Sequence, residues 1–260
     1  MNSYLLELKN ICYSYHTLHG ETKALDHISF GVKEGEFLAI VGPSGCGKST
    51  LLSIIAGLIK PEKGTITVNK SDGTLGYPKI GYMLQKDHLL DWRSVYQNVI
   101  LGLEIKQELT KENLSYVEEL LEEYGLGAFK NKHPGELSGG MKQRAALIRT
   151  LALKPELLLL DEAFSALDYQ TRLIVSADIC DIIRKTGKTM IMITHDLSEA
   201  VRLSDRVIVL SSRPATVKTE VPIHLTIKEH SPLAAMNAPE FNDYFNLIWK
   251  ELNDEATGKL

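Results

Sequence analysis

An α/β fold with a largely parallel sheet, interrupted by an inserted helical block, is the architecture this sequence predicts. Three observations point to it. Short, mainly apolar runs recur at Phe37–Val41, 157–160, Thr189–Ile193 and Arg206–Leu210, and such runs fit strands covered on both faces, as in a parallel sheet. Helical patterns at 48–58, about 169–185 and 198–203 alternate with those runs, which is the order of a wound α/β body. Between the two halves of that body, from about 98 to 153, the pattern is helical throughout.

Taken in chain order, residues 4–9 (YLLELK) alternate apolar and polar with the period of a half-buried strand. Residues 24–32 alternate less cleanly before a turn at Gly35 and Glu36, and Phe37–Val41 then runs straight into glycines. A helix over 48–58, a turn at 61–64, a short strand at 65–68 and another within 76–84 follow. In the helical block, Leu114, Val117, Leu120, Leu121 and Tyr124 recur at helix spacing. Glu118, Glu119, Glu122 and Glu123 fall on the opposite side, as a solvated face. Residues 141–153 form a second strong helix. From about 215 the chain reads as an appendage, with a strand over 217–223, a polar loop and a helix over about 239–251. The expected division is therefore a core of 1–85 and 155–215 (one domain of about 4–230), an inserted block of 86–154 and an extension of 216–260.

Composition bounds the function. The chain has 260 residues, 44% hydrophobic and 24% charged, with a net charge of −4. That is ample apolar material for a core and a poor charge balance for a dedicated nucleic-acid binder. Cys12, Cys46 and Cys180 are odd in number and widely spaced, which suggests neither a disulfide framework nor a zinc site and fits a reducing cytosol. No apolar stretch approaches the roughly 20 residues of a membrane span. The N-terminus carries Glu7 within its apolar part, unlike a signal peptide.

The first chemical signal is Gly42-Pro43-Ser44-Gly45-Cys46-Gly47-Lys48-Ser49, followed by Thr50. It matches G-x-x-x-x-G-K-[ST] with a strand before it and a helix after it. Glycines let the backbone wrap a polyphosphate with its N–H groups turned inward, and the helix start adds its positive end. Lys48 brings a full charge to the β- and γ-phosphates, and the Ser49 hydroxyl can ligate Mg²⁺. Cys46 reads as a loop residue whose backbone matters. The second signal is Asp161-Glu162 at the end of an apolar strand, where ligands gather in a parallel sheet. Asp161 is placed to hold Mg²⁺, and Glu162 to polarise a water for in-line attack on a γ-phosphate.

The third signal is Leu137-Ser138-Gly139-Gly140-Met141-Lys142-Gln143-Arg144. Ser138 is a natural N-cap, and the glycines leave the first N–H groups of the helix uncovered. This makes a second anion-binding helix end in one chain. LSGGMKQR resembles the signature motif of ATP-binding cassette (ABC) ATPases, and the resemblance covers about residues 4–215. It implies a P-loop NTPase (RecA-like) core with a parallel-rich sheet and an inserted α-helical signature subdomain.

The same resemblance carries further residues. Tyr15 is similar to the aromatic that stacks on adenine, with Tyr13 as the second candidate. Gln85 is similar to the Q-loop glutamine, a Mg²⁺ and water ligand that joins the helical block to the core. Residues 165–168 (SALD) resemble the D-loop, with Asp168 at the dimer interface, and His195 resembles the switch histidine that contacts the γ-phosphate. Ala163, Gly135 and Asp91 depart from common family patterns without removing a catalytic group.

The family implies that ATP and Mg²⁺ are bound between two cassettes paired head to tail. Ser138, Gly139 and Gly140 of one then face the phosphate loop of the other. Transmembrane permease subunits and, indirectly, a substrate-binding protein are the implied partners, with no nucleic acid expected. The implied location is the cytoplasmic face of the cell membrane. Around Gln85, the stretch QKDHLLDWRSVYQNVILGLE offers Leu89, Leu90, Trp92, Val95 and Val99. Trp92 has two readings, a packing residue or a docking residue for a membrane subunit. The LLDW stretch and the short tail resemble ATPases of nitrate/sulfonate/taurine-type importers, a group that includes carriers of thiamine-pyrimidine precursors. The tail lacks the Pro-Arg pair of that pattern. The alternatives are an exporter ATPase, a soluble non-transport cassette and a cassette that binds ATP without hydrolysing it.

Overall fold

In a computed structural model that describes residues 4–18, 20–69, 77–226 and 232–253, two sheets and a set of helices build the chain. The strands are β1 (Tyr4–Thr17), β2 (Gly20–Lys33), β3 (Phe37–Val41), β4 (Lys63–Val68), β5 (Ile80–Met83), β6 (Leu157–Asp161), β7 (Thr189–Ile193), β8 (Arg206–Leu210) and β9 (Val217–Pro222). The helices are α1 (Lys48–Ile55), α2 (Val95–Val99), α3 (Leu101–Ile105), α4 (Lys111–Glu123), α5 (Gly139–Leu151), α6 (Tyr169–Lys185), α7 (Leu197–Leu203), α8 (Pro232–Met236) and α9 (Phe241–Asn253).

Six strands form one sheet in the order β5-β6-β7-β3-β8-β9. Its pairings are parallel except for the last, where β9 runs antiparallel to β8. β3 and β7 are buried along their whole length, as the continuous apolar runs predict. Alternate residues serve two different cores. Phe37, Ala39, Val41, Leu158, Leu160, Met190 and Met192 face the helical block, α6, α7 and α9. Leu38, Ile40, Leu157, Leu159, Ile191 and Ile193 face α1 and the second sheet. That sheet is antiparallel, in the order β2-β1-β4. The tail helix α9 packs on the first of these cores, with Ile248 fully buried and Phe241 nearly so.

Several elements differ from their sequence expectation. β1 and β2 are each 14 residues long, well beyond the alternating stretches 4–9 and 24–32. Their pairing shifts register between Leu8 and Ile11 and again between Ile11 and Tyr13, and Asn10 and His27 take left-handed conformations there. Bulges of this kind break the two-residue period that marks a strand. The first helix stops at Ile55 rather than 58, because Gly57 adopts φ 72° just past its Ala56 cap. The helical block opens with two five-residue helices before the longer α4. α5 starts two residues early, at Gly139, with Ser138 as its N-cap.

Leu159 lies in the middle of β6 and is fully buried. Leu159→Ala is expected to lower unfolding stability by about 3 kcal/mol, read as a lower urea midpoint at unchanged slope.

Candidate functional site

The candidate nucleotide site sits where β3, β6 and β7 end. Pairing puts Ile40 beside Ile193 and Ile193 beside Asp161, so the three strands deliver their loops at one level. After β3 the chain turns through Gly45 at φ 71° and Gly47 at φ 127° into α1. Gly47 has a second reason to lack a side chain: a Cβ there would lie 3.0 Å from the Ala24 carbonyl. Lys48 Nζ donates to the carbonyls of Gly42 and Pro43 at 2.8 and 2.9 Å, and so closes the loop on itself. Cys46 is buried, and burial pushes its thiol above the ordinary range. It packs as a loop residue, as the sequence suggests.

The acidic residues lie across the cleft. Ser49 Oγ donates to Asp161 Oδ1 at 3.3 Å, and Tyr82 Oη donates to Asp161 Oδ2 at 3.4 Å. Burial raises the Asp161 carboxyl above its usual range, the Ser49 bond opposes the rise, and the neighbouring Glu162 charge adds to it. The Tyr82 hydroxyl is pushed up to about 12, first by burial and then by Asp161. Glu162 takes a left-handed conformation at φ 48°, a strained state for a non-glycine residue that clusters at functional sites. Its backbone N–H donates to the Ile193 carbonyl at 2.9 Å. Gln85 Nε2 donates to Glu162 Oε2 at 3.2 Å and to Ser165 Oγ at 3.4 Å. His195 Nδ1 lies 3.4 Å from Glu162 Oε2.

A cleft of about 450 Å³ is lined by Gly42, Ser44, Gly45, Gly47, Lys48, Ser49, Thr50, Glu162 and His195. Tyr15 stands beside Thr50, with a 2.9 Å hydrogen bond between their hydroxyls. Its ring meets Tyr13 edge to face at 5.1 Å. Of the two aromatic candidates, Tyr15 is the one joined to a lining residue. Positive-φ glycines, a lysine and a helix start suit a polyphosphate. Ser49 Oγ and the Asp161 carboxylate are adjacent hard-oxygen donors of the kind that suits Mg²⁺, and a divalent cation would offset the adjacent Asp161 and Glu162 charges. Gln85 meets Glu162 and Ser165 through its amide nitrogen.

Ser138 and Gly140 are elsewhere. They line a separate hollow of about 200 Å³ with Met141, Arg144, Thr171, Ile174 and Val175. The Ser138 hydroxyl accepts the Met141 N–H at 3.3 Å. Asp168 caps α6 by accepting the Thr171 N–H at 3.0 Å, which holds its carboxyl below the usual range.

A family model described as ABC transporter matches residues 25–165. The chain belongs to the ABC transporter ATP-binding family. It is 43% identical over 248 residues to the uncharacterized ABC transporter ATP-binding protein YtlC of Bacillus subtilis, covering 95% of each chain. It is 40% identical over 256 residues to the nitrate import ATP-binding protein NrtD of Synechocystis, covering 97% of this chain and 96% of that one. Among solved structures, the ATP-binding cassette MJ0796, a dimer in a post-hydrolysis state bound to ADP and Pi, superposes with a TM-score of 0.70 at 32% identity. That match covers 84% of this chain and 99% of the other. The chain is thus an ABC-type ATPase with the P-loop α/β fold that the sequence implies.

Some of the cassette's site contacts carry no motif. Tyr82, on Asp161, reads in the sequence as one more strand residue. Arg149 of α5 donates to the carbonyls of Asp87 and His88 at 2.6 and 2.7 Å and so ties the segment after Gln85 to the helical block. Trp92 is 75% exposed, so of its two readings packing inside that block does not hold. Of the five apolar residues singled out in the sequence, Leu89, Val95 and Val99 do pack there.

Lys48→Ala is expected to abolish ATP binding, measured with a fluorescent nucleotide. Tyr15→Phe keeps the ring and should bind within about twofold of native. Tyr15→Ala loses the face and should weaken binding by about 1 kcal/mol, or fivefold to tenfold.

Proposed function

We propose that the cassette powers a solute importer by closing as a dimer around ATP. The observation that carries this reading is the separation of its two anion-binding helix ends. The phosphate loop lines one hollow, and Ser138 and Gly140 line another. Two copies in head-to-tail order bring the Ser138 end of each to the phosphate loop of its partner, so the nucleotide is gripped by charge-assisted hydrogen bonds from both chains.

Within that sandwich each side chain has a task. Tyr15 stacks on the base, and residues 42–50 hold the phosphates, with Lys48 at the β- and γ-groups. Mg²⁺ held by Ser49, Asp161 and Gln85 would neutralise charge on the phosphates. Glu162 orients and polarises the attacking water, and His195 contacts the γ-phosphate. Asp168 reaches the partner across the interface. Loss of the γ-phosphate removes contacts that exist in the closed dimer alone, so hydrolysis favours opening. Each tenfold bias between the two states takes about 1.4 kcal/mol of differential binding.

The stroke is delivered to separate permease subunits, since no helix among the described residues is long and apolar enough to cross a membrane. The docking surface is the loop carrying Trp92. Fully buried Asn98 fastens this loop: its side chain accepts the Leu90 N–H at 2.7 Å and donates to the carbonyls of Leu90, Arg93 and Ser94 at 3.0 to 3.1 Å. A tryptophan held out on a rigid loop suits a protein partner. We read 86–154 as the inserted signature block, with the core on either side and 216–260 as the extension. Similarity to a nitrate import protein favours a small oxyanion or sulfonate as solute. A substrate-binding protein would then deliver it to a permease that holds the cassettes at the cytoplasmic face of the membrane.

Glu162→Gln is expected to bind ATP and to run as a stable dimer on a sizing column with ATP. Ser138→Arg should bind ATP as a monomer and lose both dimer and turnover. A Glu162→Gln protein that stays monomeric at saturating ATP, alone and with its permease, contradicts the sandwich. Trp92→Ala is expected to keep the isolated cassette's turnover and to lose its stimulation by permease.

A further inference from the structure

The loop that carries His195 is held from behind by side chains that belong to no motif. Thr194 Oγ1 donates to Glu199 Oε2 at 2.5 Å and accepts the Asp196 N–H at 3.0 Å. Asp196 Oδ1 accepts the backbone N–H of Glu199 at 3.2 Å. Both neighbours of His195 are thus fastened to α7. The other carboxylate oxygen of Asp196 faces α6, where Arg172 Nη1 lies 3.5 Å away. The same guanidinium reaches in a second direction, and its Nη2 donates to the Leu167 carbonyl at 3.1 Å. Leu167 lies in the 165–168 segment, which the ATP sandwich sets against the partner cassette.

The backbone of Arg172 is tied into a buried polar cluster. Ser176 Oγ donates to the Arg172 carbonyl at 2.6 Å and accepts from Arg202 Nη2 at 2.7 Å. Thr194, Ser176, Glu199 and Arg202 are all buried. Burying so many charged and polar groups yields little net stability relative to apolar packing. What it supplies is a fixed geometry, because a guanidinium is a planar fork that meets its acceptors in few ways.

We propose that Arg172 is a positioning residue of the ATPase, whose guanidinium couples the 165–168 segment to the His195 loop. A partner seated on 165–168 fixes the Leu167 carbonyl. The fork fixed by that carbonyl sets Asp196, and Asp196 sets its neighbour His195 against the γ-phosphate. The coupling has meaning only if two copies close on ATP, as proposed above. It adds to that reading a route by which one copy's arrival reaches the other's hydrolytic groups.

The test is a set of variants in the full chain, assayed for nucleotide binding, melting temperature and ATP turnover, with permease present if the isolated cassette is slow. Arg172→Gln is expected to bind ATP with native stoichiometry and within twofold of native affinity, while turnover falls at least tenfold. Arg172→Lys keeps the charge but offers one head to two acceptors, and should restore part of the loss. Asp196→Asn should also lower turnover. Because the two side chains act as one unit, the Arg172→Gln/Asp196→Asn double variant should fall no further than the worse single one.

A merely structural role predicts something else, namely binding stoichiometry and melting temperature that fall together with turnover. That pattern, or losses that multiply in the double variant, overturns the proposal. Native protein that hydrolyses ATP while Arg172→Gln stays within twofold of it overturns the coupling alone. Native protein without turnover in any of these conditions overturns the sandwich reading and the coupling together.

Discussion

Strand register is the constraint on which the rest of this molecule depends. Ile40, Ile193 and Asp161 lie in one row across β3, β7 and β6. The phosphate loop, the Glu162 turn and the His195 loop all leave the sheet from that row. A one-residue slip of any strand would exchange its two faces. It would move Leu158 and Leu160 out of the core they share with the helices, and Leu157 and Leu159 out of the core they share with α1. The apolar alternation therefore does more than bury surface. It sets the heights at which a lysine, two acids and a histidine leave one end of the sheet.

Much of this was readable from the sequence, for physical reasons that differ from part to part. The buried strands announced themselves because a strand covered on both faces needs apolar residues at every position. The phosphate loop was legible because wrapping a polyphosphate demands glycines at set spacing. Tyr82, Arg149 and Arg172 were not legible. Each acts through a contact whose partner is 79, 62 or 24 residues away, and a tyrosine or arginine in a strand or helix has many ordinary uses. The β1–β2 hairpin was half legible. Its open end alternates, in 4–9 and less cleanly in 24–32, but bulges and the left-handed Asn10 and His27 hide the period beyond it.

The helical block shows a second division of labour. Its interior is ordinary packing, with Val95, Val99, Leu103, Val117, Leu120 and Leu121 sharing a core with α5. Its edge next to Gln85 is held by polar bonds instead, through Asn98 and Arg149. Polar fastening fixes a short irregular loop where apolar packing could not, because backbone groups outside helices and strands must find partners one by one. Gln85 lies at the join, and its amide spans Glu162 and Ser165.

The outward-facing Trp92 also makes this molecule its own optical reporter. The chain has two tryptophans, and both indoles face water, Trp92 on the loop beside Gln85 and Trp249 on the tail helix. Trp249 stacks on Phe245 on a helix that packs against α7 and the β8–β9 edge, well apart in the chain from the polar-fastened loop. Replacing it with phenylalanine would leave a single emitter. Its colour would then register the drying of one patch of surface, with no dye attached.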